Sequence, residues 1–567
     1  MSTIAFIDNP GATHVEILPN IDDVVQLEKM FAYHAEGCLE IDCTCSETRW
    51  YVETMARRKT EQCNDDAFYV MDVGQLVKQF NTWATNLPRV KPFYAVKCNN
   101  DPALVQVLAN LGCGFDCASK PEIAQILGIG VSADRIVYAN PCKGASHIRF
   151  AAANNVSLMT FDSATELEKV KRNYPDARMV LRIAVSDPTA VCQLNLKFGA
   201  DPVNEAEQLL QLAAKMGISV VGISFHVGSG CRDASAFAIA IEHARRLFDK
   251  GIELGHAMTL LDLGGGYPGF ASADITFEAI AHVINVALNE YFPDTTAGLE
   301  IIAEPGRFFS AAAYTLCTNV TSVKQVDAQQ IDKDAGADEA GFMYYLNDGV
   351  YGSFNCVLYD HVIPKGYAMD KTQSVNDWKL CSIWGPTCDS FDCIMPQTRL
   401  PVLAAGDWVV FPNMGAYTIA AYSNFNGFER PDVVYVCGSA EWKQYQMLLA
   451  GGDETEKSVH EPPRRPNSVV YPVCNRKEAY GNGSERAIRD AAMKTMECFG
   501  FSLIDGLSRV NVDKNNNSCV GEVCYCSDIL SVVSEDTSNF SDNHSVVEFV
   551  VASDSDVASI TSSGAAW

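Results

Sequence analysis

A single lysine closes an apolar run and is the first candidate for chemistry. Residues 92–96 are β-prone and end at Lys97, and residues 98–102 (Cys-Asn-Asn-Asp-Pro) break a strand and can begin a helix. An amine at the end of a buried strand lies in a partly dry pocket, where desolvation lowers its pKa. Such an amine can form a Schiff base with a carbonyl. A lysine that only snorkels at a strand end is commoner, so this interpretation depends on the residues downstream.

Two glycine-rich stretches further along the chain can bind an anion. The first contains Gly264, Gly265 and Gly266, and the second is the stretch Glu304, Pro305, Gly306 and Arg307. Glycines let backbone N–H groups approach a phosphate closely, and an arginine can pair with it. A Schiff-base lysine together with a phosphate site predicts pyridoxal phosphate as the cofactor.

That cofactor needs a carboxylate at its pyridine nitrogen and a side chain against its ring. Glu304 is the best candidate for the carboxylate, because it ends a predicted strand beside the second glycine-rich stretch. His226 can pack on the ring, and Ser229 can donate a hydrogen bond to the phosphate. Taken alone, His226 is equally well explained as a histidine of the core.

The elements that position these residues alternate between strands and helices. Helical stretches such as 205–216, 234–254 and 277–291 separate the short apolar runs 93–96, 114–117, 136–138, 158–161, 179–183, 221–225, 260–263 and 300–303. About eight such units predict a (β/α)₈ barrel, whose chemistry lies at the carboxyl ends of the strands and whose phosphate site follows strands seven and eight. Ionisable or glycine-rich residues stand at most of those ends: Lys97, Asp116, Asp162, Arg182, His226, Gly264–Gly266 and Glu304–Arg307.

The remaining chain differs in character. We predict an N-terminal extension over 1–66 that is irregular, partly disordered and able to lend a strand to a second domain, followed by the barrel over 67–311, which opens with a strand at 67–73. Strand-like runs between turn residues then predict an all-β domain over 312–450, a β-sandwich or small β-barrel. Residues 451–567 form an acidic, serine-rich tail that is predicted to be disordered, apart from a helix at 484–499.

Composition narrows the function classes. The formal net charge of −27 over 567 residues argues against binding nucleic acid or an anionic membrane and suits a cationic substrate. The N-terminus lacks the features of a secretory signal, and no apolar run reaches transmembrane length. We therefore expect a cytoplasmic protein whose 21 cysteines are reduced thiols. The pairs Cys43/Cys45 and Cys524/Cys526 lack a second pair at zinc-finger spacing, so we predict no metal.

The motifs together resemble the eukaryotic type of ornithine decarboxylase, within the barrel-fold pyridoxal-phosphate decarboxylases. The resemblance runs from about Ala67 to about Phe428 and rests on these segments: 94–99 (YAVKCN), 114–119 (GFDCAS), 226–230 (HVGSG), 264–266 (GGG), 304–307 (EPGR), 347–354 (NDGVYGSF), 359–361 (YDH), 384–389 (WGPTCD) and 414–418 (MGAYT). It implies decarboxylation of L-ornithine to putrescine, the first step of polyamine synthesis.

The resemblance also implies a role for each site residue. Lys97 carries the cofactor, with Asp116 and Arg182 nearby, His226 on the ring and Glu304 at its nitrogen. The phosphate is held by Ser229, the glycines 264–266, the 305–307 stretch and Tyr417. Cys388 returns a proton to the α-carbon. The substrate end is lined by Tyr351, Tyr359, Asp360, Asp389 and Phe425.

The family resemblance further implies a homodimer in which Cys388 and Asp389 reach the partner's cofactor. Two alternatives remain at this point. A lysine-, arginine- or diaminopimelate-type decarboxylase would share the fold; two pocket carboxylates disfavour diaminopimelate, but one extra methylene discriminates poorly against lysine. An inactive relative that binds a regulatory protein partner would lose cofactor residues, and this sequence retains every one named above.

Overall fold

The structure is a computed structural model. It describes residues 41–42, 48–185, 197–270, 275–293, 298–336, 338–451, 510–513, 519–520, 531–532, 544–547 and 549–550. The chain divides into two compact units, Met1–Pro472 and Val473–Trp567. In the described part of the chain, none of the helices combines the length and the apolar character needed to cross a membrane.

The first unit contains the predicted barrel. Eight parallel strands close on themselves in chain order, and the last strand pairs with the first: Lys91–Ala95, Gly114–Cys117, Ile136–Tyr138, Leu158–Phe161, Arg178–Ile183, Ser219–Phe225, Leu260–Asp262 and Glu300–Ala303. The helices that precede and separate them are Val73–Asn86, Pro102–Asn110, Lys120–Gly128, Ala145–Ala153, Ala164–Asn173, Ala206–Met216, Ser235–Glu253 and Phe277–Tyr291. The predicted barrel is confirmed.

Side chains fill the barrel interior, which leaves chemistry to the strand ends. One buried cluster takes a residue from each of seven strands: Phe93, Val137, Leu158, Val180, Val221, Leu260 and Ile302, together with Ala139. The other strand contributes Gly114, where a Cβ atom would lie 2.6 Å from the Phe93 ring. A packed interior of this kind is a core and not a pore.

Local capping fixes where several barrel helices begin. Asp72 accepts a hydrogen bond from the Gln75 amide, Asp101 accepts from the amides of Ala103 and Leu104, and Thr276 accepts from the Ala279 amide. Each satisfies backbone donors that the first helical turn leaves free. The helix that follows Lys97 therefore starts at Pro102, and Asp101 anchors the preceding loop to its first turn.

A mixed sheet of nine strands forms the second domain, which the sequence predicted as a β-sandwich or β-barrel. Its main path runs through Ile41–Asp42, Asp432–Val436, Phe68–Asp72, Tyr314–Asp327, Ala340–Leu346, Lys379–Trp384 and Cys393–Leu400. Trp408–Phe411 also pairs with Tyr314–Asp327, and Tyr367–Ala368 pairs with Trp408–Phe411. We call this sheet with its loops the sheet domain.

Two features of the N-terminal third differ from expectation. Phe68–Asp72, predicted within the barrel domain, is hydrogen-bonded in the sheet domain between Tyr314–Asp327 and Asp432–Val436. Residues 48–61, predicted to be irregular, form the helix Thr48–Glu61. Its side chains Tyr51, Val52 and Ala56 pack into a buried cluster with residues of the sheet. Tertiary packing thus stabilises a helix whose sequence signal is weak.

Shorter elements complete the description of the first unit. These are three helices, Arg307–Ser310, Cys356–Tyr359 and Ser439–Gly451, and 3₁₀ turns at Val96–Cys98, Ala133–Arg135, Ala328–Gln330, Ser353–Asn355, Val375–Asp377, Ile419–Ala421 and Phe425–Gly427.

The second unit is described only in five short strands. Val510–Asp513 pairs with Cys519–Val520 and His544–Val547, and Ser531–Val532 pairs with Phe549–Val550. Most of the predicted tail, including the helix at 484–499, lies outside the described residues, as do Cys43, Cys45, Cys524 and Cys526.

Candidate active site

The carboxyl end of the barrel gathers most of the predicted residues. Lys97 lies two residues beyond the first strand, in the turn Val96–Cys98. Its Nζ donates a hydrogen bond to Oδ2 of Asp116 on the second strand and forms an ion pair with it. The Lys97 side chain is 37% exposed, whereas that of Asp116 is fully buried. The amine therefore reaches solvent on one side and a buried carboxylate on the other.

The pKa of Lys97 moves in the direction opposite to the expectation. Burial acts to lower it, but the carboxylates of Asp116 and Glu304 raise it, and the net shift is upward. The expected lowered pKa is wrong for this structure because it considered desolvation alone. Lys97 is an ammonium ion here, and it must lose a proton before it can act as a nucleophile.

Glu304 and Asp262 form a pair of buried carboxyl groups beside the lysine. They end the eighth and seventh strands, and burial followed by the nearby carboxylates raises the pKa of Glu304 well above its usual range. Burial also raises the pKa of Asp262, to about 7. Two adjacent carboxyl groups in one dry site cannot both ionise at low cost, so a proton is retained within the pair.

Unsatisfied acceptors in the described residues mark where a ligand fits. Asp116 Oδ1, Asp262 Oδ2 and Glu304 Oε1 are buried and have no hydrogen-bond partner there. Buried polar atoms are normally paired, so these three oxygens point to a polar group that binds among them. A protonated ring nitrogen is such a group, which makes the site suitable for pyridoxal phosphate.

His226 follows the sixth strand and is held as a neutral ring. Its Nδ1 accepts a hydrogen bond from the Gly228 amide at 3.0 Å. Burial, Arg182 and Lys97 lower its pKa well below the usual value. A Cβ atom on Gly265 would lie 2.7 Å from its Nε2. Only glycine therefore fits beside this imidazole, and a neutral ring suits packing against an aromatic cofactor.

The predicted phosphate residues converge on Arg307. Its Nη2 is 2.9 Å from Ser229 Oγ, and its Cζ lies 5.3 Å from the centre of the Tyr417 ring. Close packing surrounds the glycines: a Cβ atom on Gly264 would lie 2.0 Å from the Phe225 carbonyl oxygen, and one on Gly306 would lie 2.8 Å from Cys98 Cβ. The Pro305 carbonyl accepts a hydrogen bond from Ala95, which joins the eighth strand end to the first.

Asp360, predicted for the substrate end, is buried against the same arginine. Both of its carboxylate oxygens are 2.7 Å from Arg307 Nη2. A buried guanidinium requires a counter-charge, and Asp360 supplies it in this structure. The predicted phosphate region and the predicted substrate region therefore share this ion pair.

Three of the other predicted substrate residues and the predicted proton donor Cys388 form a separate group in the sheet domain, which we call the outer cluster: Tyr351, Cys388, Asp389 and Phe425. The remaining predicted substrate residue, Tyr359, ends the short helix Cys356–Tyr359 and is 70% exposed. Tyr351 donates from its hydroxyl to Asp389, and its ring centre is 4.5 Å from that of Phe425. Cys388 is exposed, and its amide donates to Asn426. The Tyr351 hydroxyl lowers the pKa of Asp389. These hydrogen bonds stay within the sheet domain and do not reach Lys97.

Two other strand-end residues serve the scaffold. Asp162 accepts a hydrogen bond from the Gly199 amide at 2.9 Å. Arg182 is buried, and its Cζ lies 5.2 Å from the centre of the Phe198 ring. Arg182 also influences His226 electrostatically, so it belongs to the surroundings of the ring site.

Sequence reasoning assigned no role to two acidic residues of the site. Asp262 was available from the strand-end rule, since it is the last residue of its strand and lies two residues before the three glycines. Glu122 accepts a hydrogen bond from the Ala118 amide at 2.5 Å, and burial raises its pKa. Its position three residues after the helix cap Ser119 is the signal that was available, because a glutamate there folds back on the preceding backbone.

Comparison with known proteins places this geometry in context. Residues 73–311 match the family described as pyridoxal-dependent decarboxylase, pyridoxal binding domain. The chain is 51% identical over 390 residues to an ornithine decarboxylase of Caenorhabditis elegans, an alignment that covers 69% of this chain and 92% of that protein.

Two further similarities involve proteins of different names. An antizyme inhibitor 2 of Xenopus laevis is 49% identical over 392 residues, covering 69% of this chain and 86% of the relative. The crystal structure of an arginine decarboxylase from Paramecium bursaria Chlorella virus superposes with a TM-score of 0.62 at 35% identity, covering 68% of this chain and all of that one.

Proposed function

Because this chain belongs to the eukaryotic-type ornithine decarboxylases, a family of pyridoxal-phosphate enzymes, we propose that it releases the α-carboxyl group of L-ornithine as carbon dioxide and yields putrescine. The observation that supports this most directly is the group of buried, unpartnered carboxyl oxygens around the Lys97 amine at the end of the barrel. Bound pyridoxal phosphate supplies an electron sink for the electrons that the departing carboxyl group leaves behind.

The barrel residues divide the work of holding the cofactor. Lys97 is the covalent attachment point, and Asp116 receives or returns its proton across their direct contact. Glu304 would pair with the ring nitrogen, and His226 would pack against the ring. Ser229, Gly266, Arg307 and Tyr417 bind the phosphate. The convergence of Ser229 and Tyr417 on the Arg307 guanidinium supports this assignment.

The substrate end requires negative charge. Asp389 carries a negative charge at neutral pH, and the hydrogen bond from Tyr351 lowers its pKa further below neutrality. A carboxylate held in this way suits the distal ammonium group of ornithine. Asp360 and Tyr359 contribute a second contact to that group, and Phe425 packs beside the alkyl chain. The exposed Cys388 thiol donates the proton that replaces the lost carboxyl group at the α-carbon.

We propose that each complete site needs two chains, one of which supplies the barrel end and the other the outer cluster. Two observations support this arrangement. The hydrogen bonds of Cys388 and Asp389 stay within their own domain. Phe391, whose amide donates to Asp389, is 74% exposed, and Tyr359, also predicted at the substrate end, is 70% exposed. Apolar surface of this kind at a predicted site marks an interface, and a homodimer buries it symmetrically.

The similarity to an antizyme inhibitor 2 makes a non-catalytic binding protein the second candidate. The site favours the enzyme, because the lysine, both ring-contacting residues and the phosphate residues are all present. We also place the reaction in the cytoplasm. Among the described residues, the buried Cys98, Cys113 and Cys117 are free thiols, as expected in a reducing compartment.

The test is a single-turnover comparison of ornithine, lysine and arginine with the purified full chain and pyridoxal phosphate. We expect release of carbon dioxide and diamine to be fastest with ornithine. Lysine, one methylene longer, should react roughly 10- to 200-fold more slowly. Lys97→Ala should lose the cofactor absorbance and all three activities, whereas Lys91→Ala should retain them, because Lys91 is an exposed lysine at the start of the strand that precedes the Lys97 turn.

The other outcomes of this experiment are equally informative. A wild-type chain that binds the cofactor but releases no carbon dioxide from any of the three amino acids would be a binding protein. Faster turnover of lysine or arginine than of ornithine would assign the other substrate.

A further inference from the structure

The Lys97 turn is held by buried hydrogen bonds on its C-terminal side. The Tyr94 hydroxyl donates to the Asn99 carbonyl at 2.8 Å, and the Tyr417 amide donates to the Cys98 carbonyl at 2.9 Å. Asn99 donates from its side chain to the Gly415 carbonyl at 2.9 Å. The position of the Lys97 backbone thus depends on residues far away in the chain.

Asp101 is the centre of this arrangement. Its carboxylate is 2% exposed, caps the helix Pro102–Asn110 and accepts the Tyr435 hydroxyl at 3.0 Å and 3.2 Å on its two oxygens. The Asp101 amide donates to the Asn99 side chain. Burial and Asp101 raise the pKa of Tyr435, so the hydroxyl keeps the proton it donates.

A second tyrosine of the same C-terminal stretch holds the other end of that helix. The Asn110 side chain donates to the Tyr445 hydroxyl at 2.9 Å. Tyr435 lies on the strand Asp432–Val436, and Tyr445 lies on the helix Ser439–Gly451. The helix after Lys97 is therefore bonded at both ends to the last elements of the sheet domain, but only Tyr435 acts at the end next to the lysine.

We propose that Tyr435 is a positioning residue for Lys97, acting through Asp101. Its hydroxyl satisfies a buried carboxylate that would otherwise lack this donor and would draw water or the loop toward itself. With the hydroxyl in place, Asp101 and Asn99 fix the turn that presents the amine to the cofactor. This inference rests on the proposed role of Lys97 in holding pyridoxal phosphate.

Tyr435→Phe and Tyr445→Phe form a matched pair for the test, since both remove one buried hydroxyl from the same helix. We expect Tyr435→Phe to weaken pyridoxal phosphate binding to the full-length apoprotein about ten-fold, measured by spectroscopic titration. Tyr445→Phe should leave that affinity unchanged. The two variants should lower the thermal midpoint by similar amounts, because each loses one buried hydrogen bond. Hydrogen exchange of peptides covering 96–104 should accelerate in Tyr435→Phe alone.

Hydrogen exchange needs no cofactor and therefore separates this inference from the proposed function. Equal cofactor affinity and equal exchange in the two variants would overturn the positioning role. Faster exchange at 96–104 without any change in cofactor binding would keep the link between Tyr435 and the turn but would refute the role of the turn in binding the cofactor.

If Tyr435→Phe does not fold, Asp101→Ser tests the same contact, because serine still caps a helix but lacks the second carboxylate oxygen that accepts the Tyr435 hydroxyl at 3.0 Å. A loss of affinity smaller than ten-fold is expected. Wild-type affinity together with wild-type exchange would contradict the proposal.

Discussion

Lys97 illustrates how the charge of one residue depends on several strands. Asp116 contacts its ammonium group, Asp116 and Glu304 both raise its pKa, and Asp262 and Glu304 together retain a proton. Burial could be predicted from the apolar run before the lysine. The upward shift of the Lys97 pKa could not be predicted, because it depends on carboxyl groups at three other strand ends. These groups come together only after the barrel closes.

Asp389 gives the sharpest prediction for substrate binding. Asp389→Asn keeps the contact with Tyr351 but removes the negative charge that attracts a distal ammonium group. We expect ornithine turnover at low substrate concentration to fall by at least 10²-fold, since a charge-assisted contact is lost, while pyridoxal phosphate affinity stays within two-fold.

Steady-state kinetics measure ornithine turnover, and titration with pyridoxal phosphate measures cofactor affinity separately. Asp377→Asn, an exposed aspartate of the same domain, serves as the control. An equal loss of cofactor affinity and turnover would place Asp389 next to the cofactor instead.

Asp348 gives a prediction about pH and stability. Burial raises its pKa to about 6. Between about pH 4 and pH 6, Asp348 is therefore mostly protonated in the folded protein and mostly ionised in the unfolded chain. The stabilisation from this proton is complete below the unfolded pKa near 4 and is lost as the pH rises through 6. Asp348→Asn, which mimics the protonated group, should therefore gain about 1–3 kcal/mol of unfolding free energy relative to wild type between pH 5 and pH 8.

Denaturant unfolding at the two pH values measures this difference. Asp327→Asn, at the end of a strand in the same sheet, provides the background pH dependence. A wild-type and mutant difference that stays constant with pH would show that Asp348 is ionised in both states.

At the scale of elements, the glycine-rich loops pack so closely against neighbouring residues that they leave no room for a Cβ atom. Gly265→Ala would place a methyl group 2.7 Å from His226 Nε2 and 2.9 Å from the Glu304 carbonyl. Because the backbone carbonyl cannot yield, the His226 ring must move. We expect cofactor affinity to fall by at least ten-fold and turnover to fall with it.

Gly336→Ala, where the nearest neighbouring atom would be 3.8 Å away, is the control and should behave like wild type. Spectroscopic titration with pyridoxal phosphate reports the effect. Unchanged affinity in Gly265→Ala would mean that His226 does not pack on the cofactor.

The eight barrel strands could be predicted from sequence because each is a short, mainly apolar run, and most of these runs end in a polar or glycine residue. The strand Phe68–Asp72 could be recognised as a strand, but its partners could not be predicted, since Tyr314–Asp327 and Asp432–Val436 are distant in sequence. The same limit applies to Asp360 and Arg307. Local patterns predict elements, whereas long-range pairing depends on the assembled fold.

At the scale of the whole molecule, the two groups of site residues lead to a test of the shared site. Lys97→Ala and Cys388→Ala are each expected to produce almost no putrescine. When their subunits exchange, about half of the dimers are mixed, and one of the two sites in each mixed dimer is intact. Putrescine production should recover to roughly a quarter of the wild-type rate.

Lys97→Ala mixed with Arg307→Ala is the control. Each subunit of the mixed dimer then carries a defect at its own barrel end, so neither of the two sites is intact. Putrescine must be measured as well as carbon dioxide, since Cys388→Ala can release carbon dioxide and return the proton to the wrong atom. A mixture of Lys97→Ala and Cys388→Ala that demonstrably exchanges subunits but stays inactive would refute the shared site.

The sheet domain is built from strands on both sides of the barrel in sequence. Phe68–Asp72 lies between Tyr314–Asp327 and Asp432–Val436, so its neighbours are made long after it leaves the ribosome. The barrel strands from Lys91 to Ala303 are complete before either neighbour exists. Because long-range pairing is slow to form, the nascent chain must keep Phe68–Asp72 as an unpaired, apolar edge while the barrel folds. Chaperone binding during synthesis is therefore expected to concentrate on this strand.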